Sequence, residues 1–435
     1  MPALIRARGA SVSPGFLLGR AARARRGVVL VEPGALNPPL TLTRAQLAGV
    51  ESSAVAADGG TLGLFGADTA RFNGTARRLL IEGQRTNSGS NVRGEGFVAG
   101  SPGTVPTGWI STSTGGVVTR TLVARGTQNG RDFVEYQYQF SAAGQANIAM
   151  SGNATSAAAG QVWTNSVWLS VVAGSWANIN TATVTVAELD AGGAFLVNST
   201  ESWLNHSGAP TRYWVTRTLN NASTARLAGD VFINATGAAD ITFRLSWPQL
   251  EQGAFASSAI LPPVGTPGAS TRGADLVSAS LASLGIGGNG ACTVLWSGMI
   301  PQAAPSGADQ TIIQIDDGTP NNRYLLRNNG GGSNVAVFRV TGGTGTGAAV
   351  AGALTAGTPF RVGVAIDGAG RVAASMNGGA AVNHTGGPTS GLTTLRLGAE
   401  TSGALAMFGE TLAARVLPYA LSDSDLAAAV AALPT

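Results

Sequence analysis

The chain has 435 residues, 44% of them hydrophobic and only 11% charged, which is too long for one ordinary core and too apolar for a disordered chain. The basic residues are all arginine, and the positive charge belongs to one end: residues 1–85 hold 11 arginines against 5 acids, residues 86–435 hold 16 against 18. A single cysteine, Cys292, excludes an intrachain disulfide framework, two isolated histidines, His206 and His384, exclude a zinc cluster, and no apolar run is long enough for a membrane helix.

Residues 1–85 read as an extended, basic attachment region. Arg6, Arg8, Arg20, Arg23, Arg25 and Arg26 come before the first acid, Glu32, while Pro14, Pro33, Pro38 and Pro39 interrupt any long element. Nucleic-acid binding would bring interleaved aromatics, and Phe16 stands alone in residues 1–38, so docking onto a partner protein is expected instead. The start of the chain has no apolar signal-peptide segment, so synthesis in the cytoplasm without a signal peptide is expected.

Residues 86–262 form the first β region. "GRDFVEYQYQF", "QVWTNSVWLSVV", "ATVTVAEL", "YWVTRTL", "RLAGDVFINA" and "DITFRLSWPQL" are strand-length, alternating or β-branched, and are separated by Gly/Ala/Asn-rich connections. Ile241, Phe243, Leu245 and Trp247 share one face of the last of these, with Thr242, Arg244 and Ser246 on the other. Residues 263–290 are a Pro/Gly/Ala/Ser-rich linker. Residues 291–435 form a second β region, with Asp367-Gly368 and Asn377-Gly378 as hairpin turns. It closes on one short helix in "LSDSDLAAAVAAL", with Ser422 as N-cap and Asp425 in the capping-box position. The predicted class is all-β: two β-sandwich (jelly-roll) domains in tandem behind the attachment region.

"LTLTRAQLAG" (40–49), "GADTARFNG" (66–74) and "RLLIEGQRTN" (78–87) resemble the N-terminal lead-in of phage head-spike and tail-fibre proteins, which also occur in phage-derived gene transfer particles. "SWPQLEQGAFASSAILPPVGTPGASTRGADLV" (246–277) is similar to the closing strand and exit of their carbohydrate-binding-like jelly rolls, through Gln249-Leu250-Glu251, Phe255, Pro262 and Thr271-Arg272-Gly273-Ala274-Asp275. Residues 291–435 resemble concanavalin A-like (laminin G-like) jelly rolls in "PFRVGVAIDGAGRVAASMNGG" and "LRLGAETSGALAMFGETLAARVLPYALSDSDL". The resemblance implies a virion surface protein, a head spike in preference to a tail fibre. It would be mounted on capsid or tail proteins, directly or through an adaptor, and attach to host cell-surface polysaccharide. A homo-oligomer, a trimer by analogy, is implied as well.

Catalytic seats are scarce. Glycoside cleavage needs two facing carboxyls; Glu188 and Asp190 share a strand face but lead into the Asp190-Ala-Gly-Gly hairpin and read as a solvated strand end. Asp316-Asp317 reads as a turn before Gly318 or as a contributor to a Ca²⁺ site, without the Asp/Asn-rich loop that calcium sites carry, so no cofactor is expected. For a glycan, Trp176 in "AGSWANIN" and Trp203 in "STESWLNHSG" are stacking planes or caps of the sandwich edge, while Trp168, Trp214 and Trp247 are assigned to core packing. Asn321, Asn322, Arg323, Asn328 and Asn329 bracket a strand as a polar rim or a plain soluble loop. The expected function is non-enzymatic attachment. A particle-borne polysaccharide depolymerase and a purely structural capsid decoration protein stay open as alternatives.

Overall fold

Alternating apolar residues build the first sandwich. In the strand Arg131–Phe140, Val134, Tyr136, Tyr138 and Phe140 enter the core, and Glu135, Gln137 and Gln139 alternate with them. The neighbouring strand Ala239–Gln252 sets Leu245, Phe243 and Ile241 opposite Val134, Tyr136 and Tyr138. The computed structural model describes residues 27–46, 48–116, 118–152, 155–302, 308–330 and 333–435. The sheet runs in the order Val118–Gln128, Arg131–Phe140, Ala239–Gln252, Val162–Gly174, Thr211–Thr218. Facing it is a sheet ordered Phe195–Ser202, Ile179–Leu189, Arg226–Ala235, Gly144–Ala149, Ile110–Gly115. Ala182, Val184, Val186, Val231 and Ile233 of the second sheet meet the aromatics of the first in one core.

Trp247 departs from the predicted face. The pairing steps from Trp168↔Ser246 to Ser166↔Gln249, so Val167 alone is set against Trp247 and Pro248, and Trp247 adopts φ 45°. This β-bulge turns the indole out of the sandwich core, into a satellite cluster with Leu62, Val92, Ala259 and Leu261. Leu250 then resumes the core face.

The second sandwich pairs a sheet built on Gly409–Leu417, Cys292–Met299, Phe360–Ile366, Arg371–Met376 and Val382–Thr385 with one built on Thr344–Ala353, Asn334–Thr341, Arg323–Asn328, Gln310–Asp316 and Thr394–Leu397. Val294, Trp296, Val362, Val364, Ile313 and Ile315 fill the space between them. The helix Asp423–Ala431 covers the outer side of the first of these sheets, placing Leu426 and Val430 against Leu295, Ala365 and Ala373. Ser422 caps it as predicted, its side chain accepting the Asp425 N–H at 3.2 Å. The molecule is thus all-β apart from this helix and one short 3-10 turn, Ala282–Leu284, among the described residues.

Two boundaries differ from the sequence reading. Residues 1–26, with Phe16 and the six leading arginines, lie outside the described residues. Much of the rest of the expected attachment region is woven into the second sandwich: Val28–Glu32 pairs with Gly409–Leu417, Thr41–Thr43 with Leu276–Ser280, and Arg78–Ile81 with Gly409–Leu417, while Glu51–Val55 and Leu62–Phe65 form a small separate sheet with Ile260–Leu261. The expected linker 263–290 also supplies a sheet strand, Leu276–Ser280. The prolines and glycines that read as breakers occupy the turns between strands of two to five residues, too short to register as periodic segments.

The chain crosses between the sandwiches at two neighbouring places, and a buried charge cluster binds these crossings together. Arg78–Ile81 belongs to the second sandwich and Arg85–Asn87 to the first; Ser270–Arg272 pairs with Arg85–Asn87, and Leu276–Ser280 returns to the second. Between them, Asp275 accepts Arg44 Nε at 2.5 Å, Arg71 Nη2 at 2.7 Å and the Glu82 N–H at 2.8 Å. Glu82 accepts Arg272 Nη1 at 2.8 Å and Ser258 Oγ at 2.5 Å, and pairs with Arg71 Nη1 at 2.8 Å. Arg44, Arg71, Arg272 and Asp275 are fully buried. Burial alone would raise the Glu82 carboxyl, but the guanidiniums of Arg272 and Arg71 and the Ser258 hydrogen bonds outweigh it and hold it at about 2. The charged residues of the four segments that carry the resemblance therefore do structural work, satisfying one another away from solvent.

Candidate functional site

The outward face of the Phe195–Ser202/Ile110–Gly115 sheet is grooved, and pairing register says which side chains share it. Thr112, Asn147, Phe232 and Thr183 stand side by side on four adjacent strands. The next row is Ala149, Asp230, Thr185 and Thr200, and beyond it lie Ala228, Ala187 and Asn198. Rows are about 6.8 Å apart along the strands, and neighbours within a row about 4.8 Å. The groove encloses about 470 Å³ and is lined further by Gln145, Thr181 and Phe195.

Its depth follows from the sequence. In Arg226–Ala235, Leu227, Val231 and Ile233 take the inward parity and fill the core, so Ala228, Asp230 and Phe232 take the outward one. The alanines at 149, 187 and 228 are too short to fill the surface around Asp230. The carboxylate therefore sits on the floor at 7% exposure. Its only hydrogen bond from a described side chain is long, Asn147 Nδ2 to Oδ2 at 3.4 Å, and Oδ1 has no partner among the described residues. Asn147 Oδ1 is likewise unpaired. Burial pushes the Asp230 carboxyl up to about 7. At the rim, Phe195 is 62% exposed, and Phe232 lies half-buried beside Asn147. Two aromatic surfaces, a ladder of Thr and Asn groups, and one under-bonded carboxylate face the same space. That combination suits a ligand with both apolar CH faces and many hydroxyls.

The residues singled out from sequence lie elsewhere. Trp203 is 1% exposed, its ring 5.1 Å from Trp176 and 5.2 Å from Phe243, so it closes the end of the first core and offers no plane for a sugar. Of the two alternatives read from the sequence, this is the cap of the sandwich edge. Trp176 is half-buried against the same core and donates Nε1–H to the His206 carbonyl at 3.0 Å. Asn321 and Asn329 are exposed at opposite ends of the strand Arg323–Asn328, roughly 20 Å apart. Arg323 between them is paired with Glu400 at 2.7 Å, Asn322 Nδ2 donates to Asp317, and Asn328 is buried and donates to Gln310 at 2.9 Å. These residues belong to the second sandwich, so they form no common site with the tryptophans.

Asp316 and Asp317, the calcium candidates, both direct carboxylate oxygens at neighbouring protein groups. Asp316 is fully buried and already accepts Arg396 Nε at 2.7 Å, Gln314 Nε2 at 2.8 Å and the Gly318 N–H at 2.8 Å. Asp317 folds its own turn through the Thr319 N–H and Asn322 Nδ2, both at 2.8 Å. No three His, Cys, Asp or Glu side chains gather in a metal-holding group among the described residues. Glu188 is no solvated strand end: it shares the inward parity of Val184 and Val186, is fully buried, and accepts Arg217 Nε at 2.5 Å and Thr224 Oγ1. Trp214, assigned to the core, is 39% exposed because Tyr213 and Val215 take the inward positions of its strand. Trp168 is half-buried under the Arg212 guanidinium, 4.4 Å from its ring centre.

No helix among the described residues is long and apolar enough to cross a membrane. No protein-family model and no curated protein matches the chain. Among solved structures it is similar to the Ruminococcus gnavus IT-sialidase CBM40, at 17% identity over 32% of this chain and 82% of that one, TM-score 0.27. The same module bound to α2,3-sialyllactose matches at 18% identity over the same shares, TM-score 0.27. The tandem CBM22-1-CBM22-2 domain of Paenibacillus barcinonensis Xyn10C matches at 12% identity over 76% of this chain and 98% of that one, TM-score 0.25. At scores this low, neither likeness assigns a ligand to this chain.

Proposed function

We propose that this protein is a non-catalytic surface subunit of a phage-type particle that attaches to host polysaccharide through the groove of its first sandwich. The observation that carries the binding reading is the groove itself: about 470 Å³, floored by a buried, under-bonded carboxylate and edged by an exposed phenylalanine. The particle reading rests on the sequence resemblance, and a head spike is favoured over a tail fibre on that ground alone. The buried ion pairs of the Arg44–Arg71–Glu82–Arg272–Asp275 cluster, where the chain crosses between the sandwiches, suit a projecting body that bears load. Weak single-site affinity for a sugar is multiplied when many copies act on one surface.

Glycoside hydrolysis calls for two carboxyls about 5–9.5 Å apart across the substrate. Asp230 is the one acid lining the groove among the described residues, which favours binding without cleavage. Affinity electrophoresis of the full chain in gels cast with host polysaccharide tests the proposal. The wild type should be retarded and Phe195→Ala should run freely, with no new reducing ends. Equal mobility in all gels, together with tight binding to spike-free capsids, would favour the decoration protein.

A further inference from the structure

The geometry points to a groove that selects uncharged polysaccharide and rejects sialylated or uronic-acid glycans, with Asp230 as the residue that reads a sugar hydroxyl and sets that selection. This rests on the groove being the glycan site. The groove lining holds one carboxylate and no Arg or His; the remaining polar groups are Thr, Ser, Asn and Gln. Such a surface offers donors and acceptors to hydroxyls but no fork for a ligand carboxylate, which is normally met by arginine. The nearest cation on the same strand face, Arg226, stands four residues from Asp230, roughly 13 Å along the strand.

Asp230 makes the discrimination active. The carboxyl keeps 7% exposure and takes only the 3.4 Å hydrogen bond from Asn147 among the described side chains, so it can accept a ligand O–H without breaking a strong existing bond. A ligand carboxylate in the same volume instead meets a like charge in a place largely shielded from solvent. The groups facing Asp230 are uncharged on every packed element: Asn147 on one neighbouring strand, Thr183 and Thr185 on the other, Asn198 and Thr200 beyond it, and from the opposite sheet Asn165, whose Nδ2 reaches the Asp230 carbonyl at 3.4 Å. With its carboxyl pushed up to about 7, Asp230 is ionised at pH 8 and mainly protonated at pH 5. The bias against anionic glycans therefore grows with pH.

The test is binding of the full chain to immobilised dextran, mannan, xylan and galactan as neutral probes, and to α2,3-sialyllactose and polygalacturonate as anionic ones, at pH 5 and pH 8. Wild type, Asp230→Asn and Phe195→Ala are compared. At pH 8 the best neutral probe should bind at least tenfold more tightly than either anionic one, and the ratio should shrink at pH 5. Asp230→Asn should weaken the neutral probe several-fold and remove the pH dependence of the ratio. An anionic probe held as tightly as the best neutral one at pH 8, and lost in Phe195→Ala, overturns the selectivity but leaves the groove as the glycan site. Neutral binding that is indifferent to both substitutions, or no binding to any probe, removes the groove reading itself.

Discussion

Replacing Asp230 by asparagine should stabilise the first sandwich increasingly as pH rises. In the folded protein the carboxyl is 7% exposed, its hydrogen bond from Asn147 is 3.4 Å long, and burial raises it from 3.8 to about 7. A raised folded pKa means that the native state holds the proton more tightly than the unfolded chain. The associated stability is complete below about 3.8 and lost as pH climbs through 7. A shift of about three units at 1.36 kcal/mol each sets the ionisation cost at roughly 4 kcal/mol by pH 8, and below about 1 kcal/mol at pH 4. Asparagine keeps the shape and removes the cost, so the gain over wild type should rise by roughly 3 kcal/mol across that range. Urea unfolding followed by tryptophan fluorescence reads it, because seven of the eight tryptophans lie in residues 86–262. Subtracting the wild-type curve at each pH cancels the other titrating groups. A difference that stays flat between pH 4 and pH 8 would mean that Asp230 is well solvated, and the groove floor would not be the desolvated pocket described above.

Three further outcomes follow from the same geometry. Glu82→Gln leaves Arg71 and Arg272 short of a buried counter-charge and should cost about 3–5 kcal/mol by urea titration. Because the Glu82 carboxyl is lowered from 4.5 to about 2, its contribution is present above pH 4.5 and lost as pH falls towards 2, so an acid titration should show Glu82→Gln less acid-sensitive than wild type. Trp203→Ala should destabilise by about 3–5 kcal/mol in the same titration, while Phe195→Ala stays within about 0.5 kcal/mol of wild type, since one ring is buried and the other 62% exposed. The Cys292 thiol is fully buried and pushed up to about 12, so an aromatic disulfide reagent at pH 8 should label it only as fast as the second sandwich opens.

Much of the fold was legible in the sequence because alternation reports the inward face of a strand. The alternation in "DITFRLSWPQL" sets Ile241, Phe243 and Leu245 on one face, and the structure places them in the core. The groove escaped for the same reason: its residues occupy the outward parity of several strands, and only register brings Asn147, Phe232 and Thr183 side by side. Asp230 and Phe232 in "RLAGDVFINA" were the available signal, a carboxylate and an aromatic on the polar side of an otherwise buried strand. Trp203 stayed open between a sugar plane and an edge cap because its flanking Ser, Glu, Asn and His describe the loop around it and not the ring, which turns inward to cap the core. Trp247 misled because a bulge, which reverses facing, leaves no mark in a period of two. The lead-in read as an arm because its strands are shorter than any periodicity can show. Its partners, Leu276–Ser280 and Gly409–Leu417, lie hundreds of residues away in the chain.

The central claim is that sugar is held on the outward face of the sheet that carries Asp230. A crystal structure of the chain soaked with the neutral oligosaccharide that binds most tightly tests it most directly. The sugar should lie across the sheet with a ring against Phe195 or Phe232 and a hydroxyl within hydrogen-bonding distance of the Asp230 carboxyl. Sugar density beside Trp214, on the Asn321 and Asn329 loops, or anywhere else with the groove unoccupied would contradict it.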